Sequence, residues 1–399
     1  MNYGIIAEFN PFHNGHKYLF DVLKEDENDT VTAVMSETFV QRGECAVMSP
    51  EARAECALKS GADLVLSLPL KYALSSAERF AFGGVNTLHS LGVVDCLAFG
   101  SECGDEELLL DCADALFDSA VEDALAGFIK TGMSYPSARN AAVSAVYGEK
   151  FDSVLNSPND TLAAEYIAAL YEIGDEDFAA VRAVKRAGNA HDAALPQGEF
   201  ASATYIRECM KNGTDFKKYV PESAYEIIRR EMNAKRAPAD MKNIETAVIY
   251  KLRTMSPGDF AKLDDVAEGL ENRFYDAVRG ACSLGEVYDK IKTKRYTHSR
   301  IRRIVMNAFL ENTAFSPVGF SGLPYIKVLG FNEKGAALLG RAKEKASLPI
   351  VTKHSEIKKL GAVENAFYEK ECVARDIFSL ALPEIQPCGL AMTEKIVIL

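Results

Sequence analysis

Four apolar runs in the first hundred residues constrain most strongly what this chain can fold into. GIIAEF (4–9), TVTAVMS (30–36), DLVLSLP (63–69) and DCLAFGS (95–101) recur roughly every thirty residues, the length of a βα unit. Helix-period stretches at 15–25, 50–60 and 75–91 separate them. The runs are apolar on both faces, which predicts buried parallel strands covered by helices on either side. The fold class expected is therefore α/β, a doubly wound parallel sheet, and in that class ligands sit at the carboxyl ends of the strands. Asn10, Ser36, Pro69 and Gly100-Ser101-Glu102 close the four runs and fall on that edge.

Beyond residue 104 the pattern continues with an acidic amphipathic helix at 105–125, whose charges read as a solvated face. Further helices are expected at 136–148 and 155–173, a strand at 178–186, and a helix opening from ASATYIREC (201–209). Past about residue 215 the strand runs stop, and TAVIYKLRTM, AKLDDVAEGLENRFYDAV and SRIRRIVMNAFL carry apolar residues at helical spacing. The last stretch, 324–399, is mixed, with PYIKVLGF, LPIVTK and EKIVIL as short strand-like runs. A chain of 399 residues fits two or three domains. The expected division is residues 1–215 as the sheet-bearing catalytic domain and residues 216–399 as a mainly helical C-terminal domain.

Charge and cysteine usage narrow the function classes. The formal net charge is −12, so nucleic-acid contact must come from local basic patches, and DNA is not an expected partner. Nine scattered cysteines include no CxxC pair, which predicts reduced thiols in a cytoplasmic protein rather than a zinc knuckle or a disulfide framework. No run of 18 apolar residues occurs, and the N-terminus enters a strand without a basic leader; the expectation is a soluble protein with no membrane partner.

The first strand breaks into NPFHNGH (10–16) before the chain turns helical. A strand-to-helix loop exposes backbone N–H groups at the positive end of the helix, where anions bind. Gly15 lets the backbone approach such an anion closely, and His13 and His16 add side-chain donors on the same side. Imidazole donors so placed stabilise charge that builds when the α-phosphate of a nucleotide is attacked, which makes His13 and His16 the candidate catalytic residues. Asn10 is positioned to orient a substrate or a metal-bound water. The alternative is that both histidines cap the helix and satisfy backbone groups. The loop is neither a Walker A sequence nor a GxGxxG turn.

Two other segments stand out. Gln41 and Arg42 of TFVQRGE (38–44) follow the second strand on the same edge, where an arginine fork suits acetate, phosphate or RNA; the alternative is a loop salt bridge to Glu44. KIKTKRYTHSRIRR (290–303) holds seven basic residues and no acidic one. Lys294, Arg295, Arg302 and Arg303 are the candidate RNA contacts there, and Arg300, Arg303 and Asn307 form one polar stripe if the segment is helical. Tyr296 and His298 suit stacking on a base. Such a run can equally be solvated or pair with acidic neighbours. IRREMNAKR (228–236) is a weaker basic patch.

HxGH in PFHNGH resembles the signature of the nucleotidyltransferase superfamily, whose members activate a substrate with the α-phosphate of ATP. ASATYIR resembles its second signature, a helix start that meets the β- and γ-phosphates, matched by Ser202, Thr204 and Arg207. AEFNPFHNGH, AVMSETFVQRGECAV, GADLVLSLP, AFGSE, PNDTLAAEYI, KRYTHSRIRR and PYIKVLGFNEKGAALL, in that order, resemble the tRNA(Met) cytidine acetate ligase family over nearly the whole chain.

The resemblance implies two steps: acetate attacks the α-phosphate of ATP to give acetyl-adenylate and pyrophosphate, and the wobble cytidine of elongator tRNA(Met) then takes the acetyl group, leaving N4-acetylcytidine and AMP. It places ATP against Ile6, Ala7, Glu8, Phe9, Asn10, Pro11, Phe12, His13, Asn14, Gly15, His16, Lys17, Tyr18 and Leu19, with Gly100, Asn159, Arg186, Ser202 and Thr204. ATP chemistry implies Mg²⁺, although no carboxylate cluster of recognisable spacing marks a metal site. Three positions depart from the family pattern, which more often has Gly at Glu37, Pro at Cys45 and Lys at Pro50. The competing readings are a small-molecule adenylyltransferase, an acetate ligase acting on a protein or cofactor, and a non-catalytic RNA-binding module.

Overall fold

The computed structural model describes residues 1–175, 178, 180–187, 196–267, 269–312 and 322–399. The four apolar runs are strands β1 (Asn2–Ala7), β2 (Thr30–Ser36), β3 (Leu64–Leu68) and β4 (Cys96–Ser101). They are joined by β5 (Val181–Lys185), β6 (Ile326–Phe331), β7 (Ile350–Val351) and β8 (Val397–Ile398). The sheet order is β8-β6-β3-β2-β1-β4-β5, with β7 also on β6. β1 pairs in parallel with both β2 and β4, so the strand order reverses at β1. In an open α/β sheet the crevice beyond the strand ends at that reversal is where a ligand binds.

Alternation along the strands explains why both faces must be covered. All seven residues of β2 are buried. Val34 joins Leu66, Leu68, Leu97 and Phe99 in one core, and Val31, Ala33 and Met35 join Ile5, Val65 and Ala98 in another. Each of the larger side chains contributes on the order of 1.5–3 kcal/mol by leaving water. On the second face lie helices α1 (Asn14–Leu23) and α2 (Pro50–Lys59); on the first lie α3 (Ala77–Leu91) and α4 (Pro158–Ile173); α5 (Ala203–Asn212) returns to the second. Pro50 stands in the first turn of α2, where a missing N–H costs nothing.

The acidic stretch 105–125, expected as one helix, is two: Glu106–Leu116 and Ser119–Lys130. Asp118 ends the continuity, because its Oδ1 accepts the Ala120 N–H at 2.8 Å and caps the second helix.

After α5, helix Glu222–Asn233 packs Ala224, Ile227 and Ile228 into the core beneath β1 and β2, so residues on both sides of position 215 share that core. A separate core forms where Ile244, Val248, Leu252, Phe274 and Val287 meet Ile304 and Val305 of α6 (His298–Phe309). The strand-like runs of the last stretch then close the sheet: β6 lies antiparallel to β3, and β7 and β8 run parallel to β6. Lys327 of β6 thereby meets Glu37, just beyond β2, with Nζ at 2.8 and 2.9 Å from its two carboxylate oxygens. Helix α7 (Ala362–Ser379) covers this end and brings Glu371 to the Leu70 N–H at 2.7 Å. Among the described residues no helix is long and apolar enough to cross a membrane.

Candidate functional site

A cleft of about 320 Å³ opens at the carboxyl ends of β1, β4 and β5. The chain leaves β1 through Phe9, Phe12, His16 and Phe20, whose rings pack together with centroids 5.0 to 6.1 Å apart. His13 is the N-cap of α1. Its Nδ1 accepts the Gly15 N–H at 3.0 Å, and the His16 Nδ1 accepts the His13 N–H at 3.2 Å. The two rings stack with centroids 3.8 Å apart and an interplanar angle of 20°. A backbone N–H can only donate, so each neutral ring carries its proton on Nε2. The capping role and the donor role are thus one arrangement: anchoring by Nδ1 fixes both imidazoles as Nε2–H donors. Gly15 is needed because a Cβ there would stand 2.9 Å from His13 Cε1.

A second helix start faces the same space. Ser202 caps α5 through the Tyr205 N–H at 3.2 Å, and Thr204 Oγ1 accepts from Arg207 Nη2 at 3.0 Å. Arg207 also donates to the Asn10 carbonyl at 2.7 Å, tying α5 to the opening turn. Burial holds the Arg207 guanidinium below its ordinary value, against the pull of Glu44 and Glu8. Two helix N-termini, two imidazoles and this guanidinium make the inner end of the cleft a site for anions.

The other end is partly apolar, formed by Phe80, Phe99, Leu162 and Tyr166 with Gly100 and Asn159. Asn159 Nδ2 donates to Glu102 Oε1, and Glu102 Oε2 accepts the Asp160 N–H at 3.1 Å. The Asn159 amide is therefore held with its oxygen as the acceptor not used by Glu102. Arg186 lies over Gly100, and its buried Nε has no hydrogen-bond partner among the described residues. Burial lowers its pKa, while Glu102 and Asp160 raise it.

Most of the residues singled out in the sequence meet here. Ile6, Ala7, Glu8, Phe9, Asn10, His13, Gly15, His16, Tyr18, Leu19, Gly100, Asn159, Arg186, Ser202 and Thr204 line the cleft, as do Gln41 and Arg42. Four of the opening segment do not. Pro11 and Phe12 are buried behind it, Lys17 pairs with Asp21, and Asn14 Nδ2 donates to the Glu199 and Lys218 carbonyls. Asn10 uses its Oδ1 on the Val47 N–H at 2.7 Å, a structural task. Sequence reasoning missed Leu162 and Tyr166; they follow Asn159 at i+3 and i+7 on α4, a spacing that puts all three on one helix face.

The basic segment lies apart from the cleft but touches its rim. The stripe expected from Arg300, Arg303 and Asn307 is helical but faces protein. Arg300 Nη2 donates to the Asp265 carbonyl at 2.6 Å, Arg303 is buried 3.8 Å from the Asp265 carboxylate, and Asn307 donates to the Leu74 carbonyl. Arg302 binds Glu44 at 2.6 Å, so the loop ion pair of Glu44 is with Arg302. Gly43 permits this docking: its φ is +74°, and a Cβ there would lie 2.5 Å from the Arg302 and Arg303 backbone. Lys294 is exposed, and Arg295 and Arg300 flank the Tyr296 ring at 6.0 and 5.5 Å. Among the described residues no group of three or more His, Cys, Asp or Glu side chains is placed to hold a metal ion.

Comparison with known proteins gives a consistent neighbourhood. The HIGH Nucleotidyl Transferase family model matches residues 1–390. A tRNA(Met) cytidine acetate ligase of Thermoanaerobacter sp. is 39% identical over 394 residues, covering 97% of each chain. A relative of the same name from Thermosipho africanus is 35% identical over 95% of each. Among solved structures, Thermotoga maritima TmcAL without ligand superposes with a TM-score of 0.94 at 33% identity, over 100% of this chain and 99% of that one. The same enzyme bound with alpha-thio ATP gives a TM-score of 0.91 at 32% identity over the same shares.

Proposed function

The chain belongs to the HIGH nucleotidyl transferase family and, within it, to the tRNA(Met) cytidine acetate ligases, and from that membership we propose that it acetylates the wobble cytidine of elongator tRNA(Met) with acetate and ATP. The relatives carry the name of the RNA-modifying enzyme, which favours this reading over a small-molecule adenylyltransferase, an acetate ligase for a protein or cofactor, or a non-catalytic RNA-binding module.

The observation that carries the reading is the pair of Nδ1-anchored imidazoles at the start of α1, opposite Ser202, Thr204 and Arg207 at the start of α5. With the triphosphate between the two helix starts, an acetate oxygen attacks the α-phosphorus and the bond to the bridging oxygen of pyrophosphate breaks. His13 and His16 donate from Nε2 to oxygens that gain charge in that step, and fixed donors of this kind stabilise the transition state more than the ground state. The base and ribose would occupy the partly apolar end, with the Asn159 oxygen and Arg186 as polar partners. Mg²⁺ would enter with the triphosphate, since the described residues form no cluster for a resident ion.

Incubating the protein with ATP, labelled acetate and bulk tRNA, followed by nucleoside analysis, should yield labelled N4-acetylcytidine. Label confined to small molecules would overturn the reading. Reversing Lys294 and Arg295 to Glu should weaken tRNA binding and flatten its salt dependence while acetate-dependent ATP–pyrophosphate exchange persists; equal loss of both would remove the segment from RNA contact. Gly15→Ala should lower that exchange by roughly tenfold to a hundredfold, because the added methyl displaces the His13 ring, with far-UV circular dichroism unchanged. Wild-type exchange would show that His13 does not need its observed position.

A further inference from the structure

Acyl transfer to a cytosine amine needs a proton acceptor, because the exocyclic nitrogen is a weak nucleophile until its proton leaves. The cleft offers few. His13 and His16 are spent as acceptors at Nδ1 and carry protons at Nε2. Tyr166 is buried, and burial raises its pKa well above the ordinary phenol range. Among the described residues the lining contains two carboxylates, Glu8 and Glu44, and Glu44 is engaged by Arg302. Glu8 stands immediately after β1, between the HxGH turn and the QRG loop. Its Oε1 accepts the Gln41 N–H at 2.7 Å, and the described residues give its Oε2 no hydrogen bond.

We propose that Glu8 is the proton acceptor of the second half-reaction. The proposal rests on the function argued above. As N4 of the cytidine bonds to the acetyl carbon, the bond from that carbon to the AMP phosphate oxygen breaks and AMP leaves with the electron pair. The N4 proton passes to Glu8 Oε2 and later to water. The position suits this role: the Gln41 backbone belongs to the loop that Glu44 and Gly43 join to the basic segment, so the carboxylate lies where activated acetyl and an incoming RNA base would meet.

The charged and titratable groups around Glu8 are Arg42 on the QRG loop, Arg53 of α2, Arg207 of α5 and Tyr166 of α4. Arg53 is fully buried and donates from Nη1 to the Glu8 carbonyl at 2.6 Å. Burial raises the Glu8 pKa and outweighs the opposing arginines, so the carboxylate is a stronger base than one in water.

The test is Glu8→Gln, which keeps an acceptor for the Gln41 N–H, read in two assays. Single-turnover transfer from preformed acetyl-adenylate to tRNA should fall about a hundredfold or more, and acetate-dependent ATP–pyrophosphate exchange by less than tenfold. Wild-type transfer should slow as pH falls through an ionisation above the ordinary carboxylate range, and the variant should lack that limb. Glu8→Asp should recover part of the rate. Equal losses in the two assays, or a retained pH limb, would overturn the proposal and leave Glu8 a loop anchor. Absence of N4-acetylcytidine with the wild-type protein would instead defeat the proposed function itself.

Discussion

Replacing His13 or His16 by alanine is expected to slow acetyl-adenylate formation by about 10²–10³-fold each, the usual effect of deleting one preorganised donor to a developing oxyanion. The measurement is acetate-dependent ATP–pyrophosphate exchange. Stability should change far less, because the lost cap of α1 is worth about 1 kcal/mol. His13→Ala removes the acceptor for the Gly15 N–H, and His16→Ala the acceptor for the His13 N–H. The double variant should lose less than the product of the single losses. The stacked rings, 3.8 Å apart, hold one another in place, so each single change already disturbs its neighbour. Exchange within threefold of wild type in both single variants would leave the histidines as caps alone.

How much of this could be read in advance depended on how local the cause was. β1 to β4 declare themselves because burial on two faces demands unbroken apolar runs, and the HxGH turn because its glycine and histidines serve one short loop. Glu37 and Arg303 are the opposite case. Glu37 answers Lys327, 290 positions away in sequence, and Arg303 turns toward Asp265 because Ile301, Ile304 and Val305 must fill a core. No helical spacing announces which carboxylate will be waiting. The unusual Cys45 likewise reads as a packing choice. It is buried beside Phe39 and Ile244, and burial pushes its thiol up to about 12, so it behaves as a small apolar residue.

Lys327→Met is expected to destabilise the fold by about 3–5 kcal/mol at pH 8, the cost of stripping the cation from a buried ionic cluster, measured by urea denaturation. Lys327 neutralises Glu37, whose Oε1 also accepts from Ser67 Oγ at 2.5 Å, and it offsets Glu371 nearby. The pH dependence gives the sharper signature. Burial first, and then Glu37, push the Glu371 carboxyl up to about 8, with Lys327 opposing. A carboxyl whose folded pKa exceeds its unfolded value of about 4.3 binds its proton more tightly in the folded state. Its contribution is fully present below the unfolded value and is lost as pH rises through about 8. Without Lys327 the carboxyl should be raised further, so the variant's deficit should shrink between pH 9.5 and pH 6 by about 1 kcal/mol, roughly one pKa unit's worth, with most of the change above pH 8 because the wild-type carboxyl is already half protonated there. Adding Glu37→Gln to Lys327→Met should restore part of the loss, because one buried charge then disappears with its partner. A deficit below 1 kcal/mol at pH 8, or one that is flat with pH, would mean that water already solvates this end of the sheet. In that case β6 would be held to β3 by its backbone ladder and apolar side chains rather than by charge.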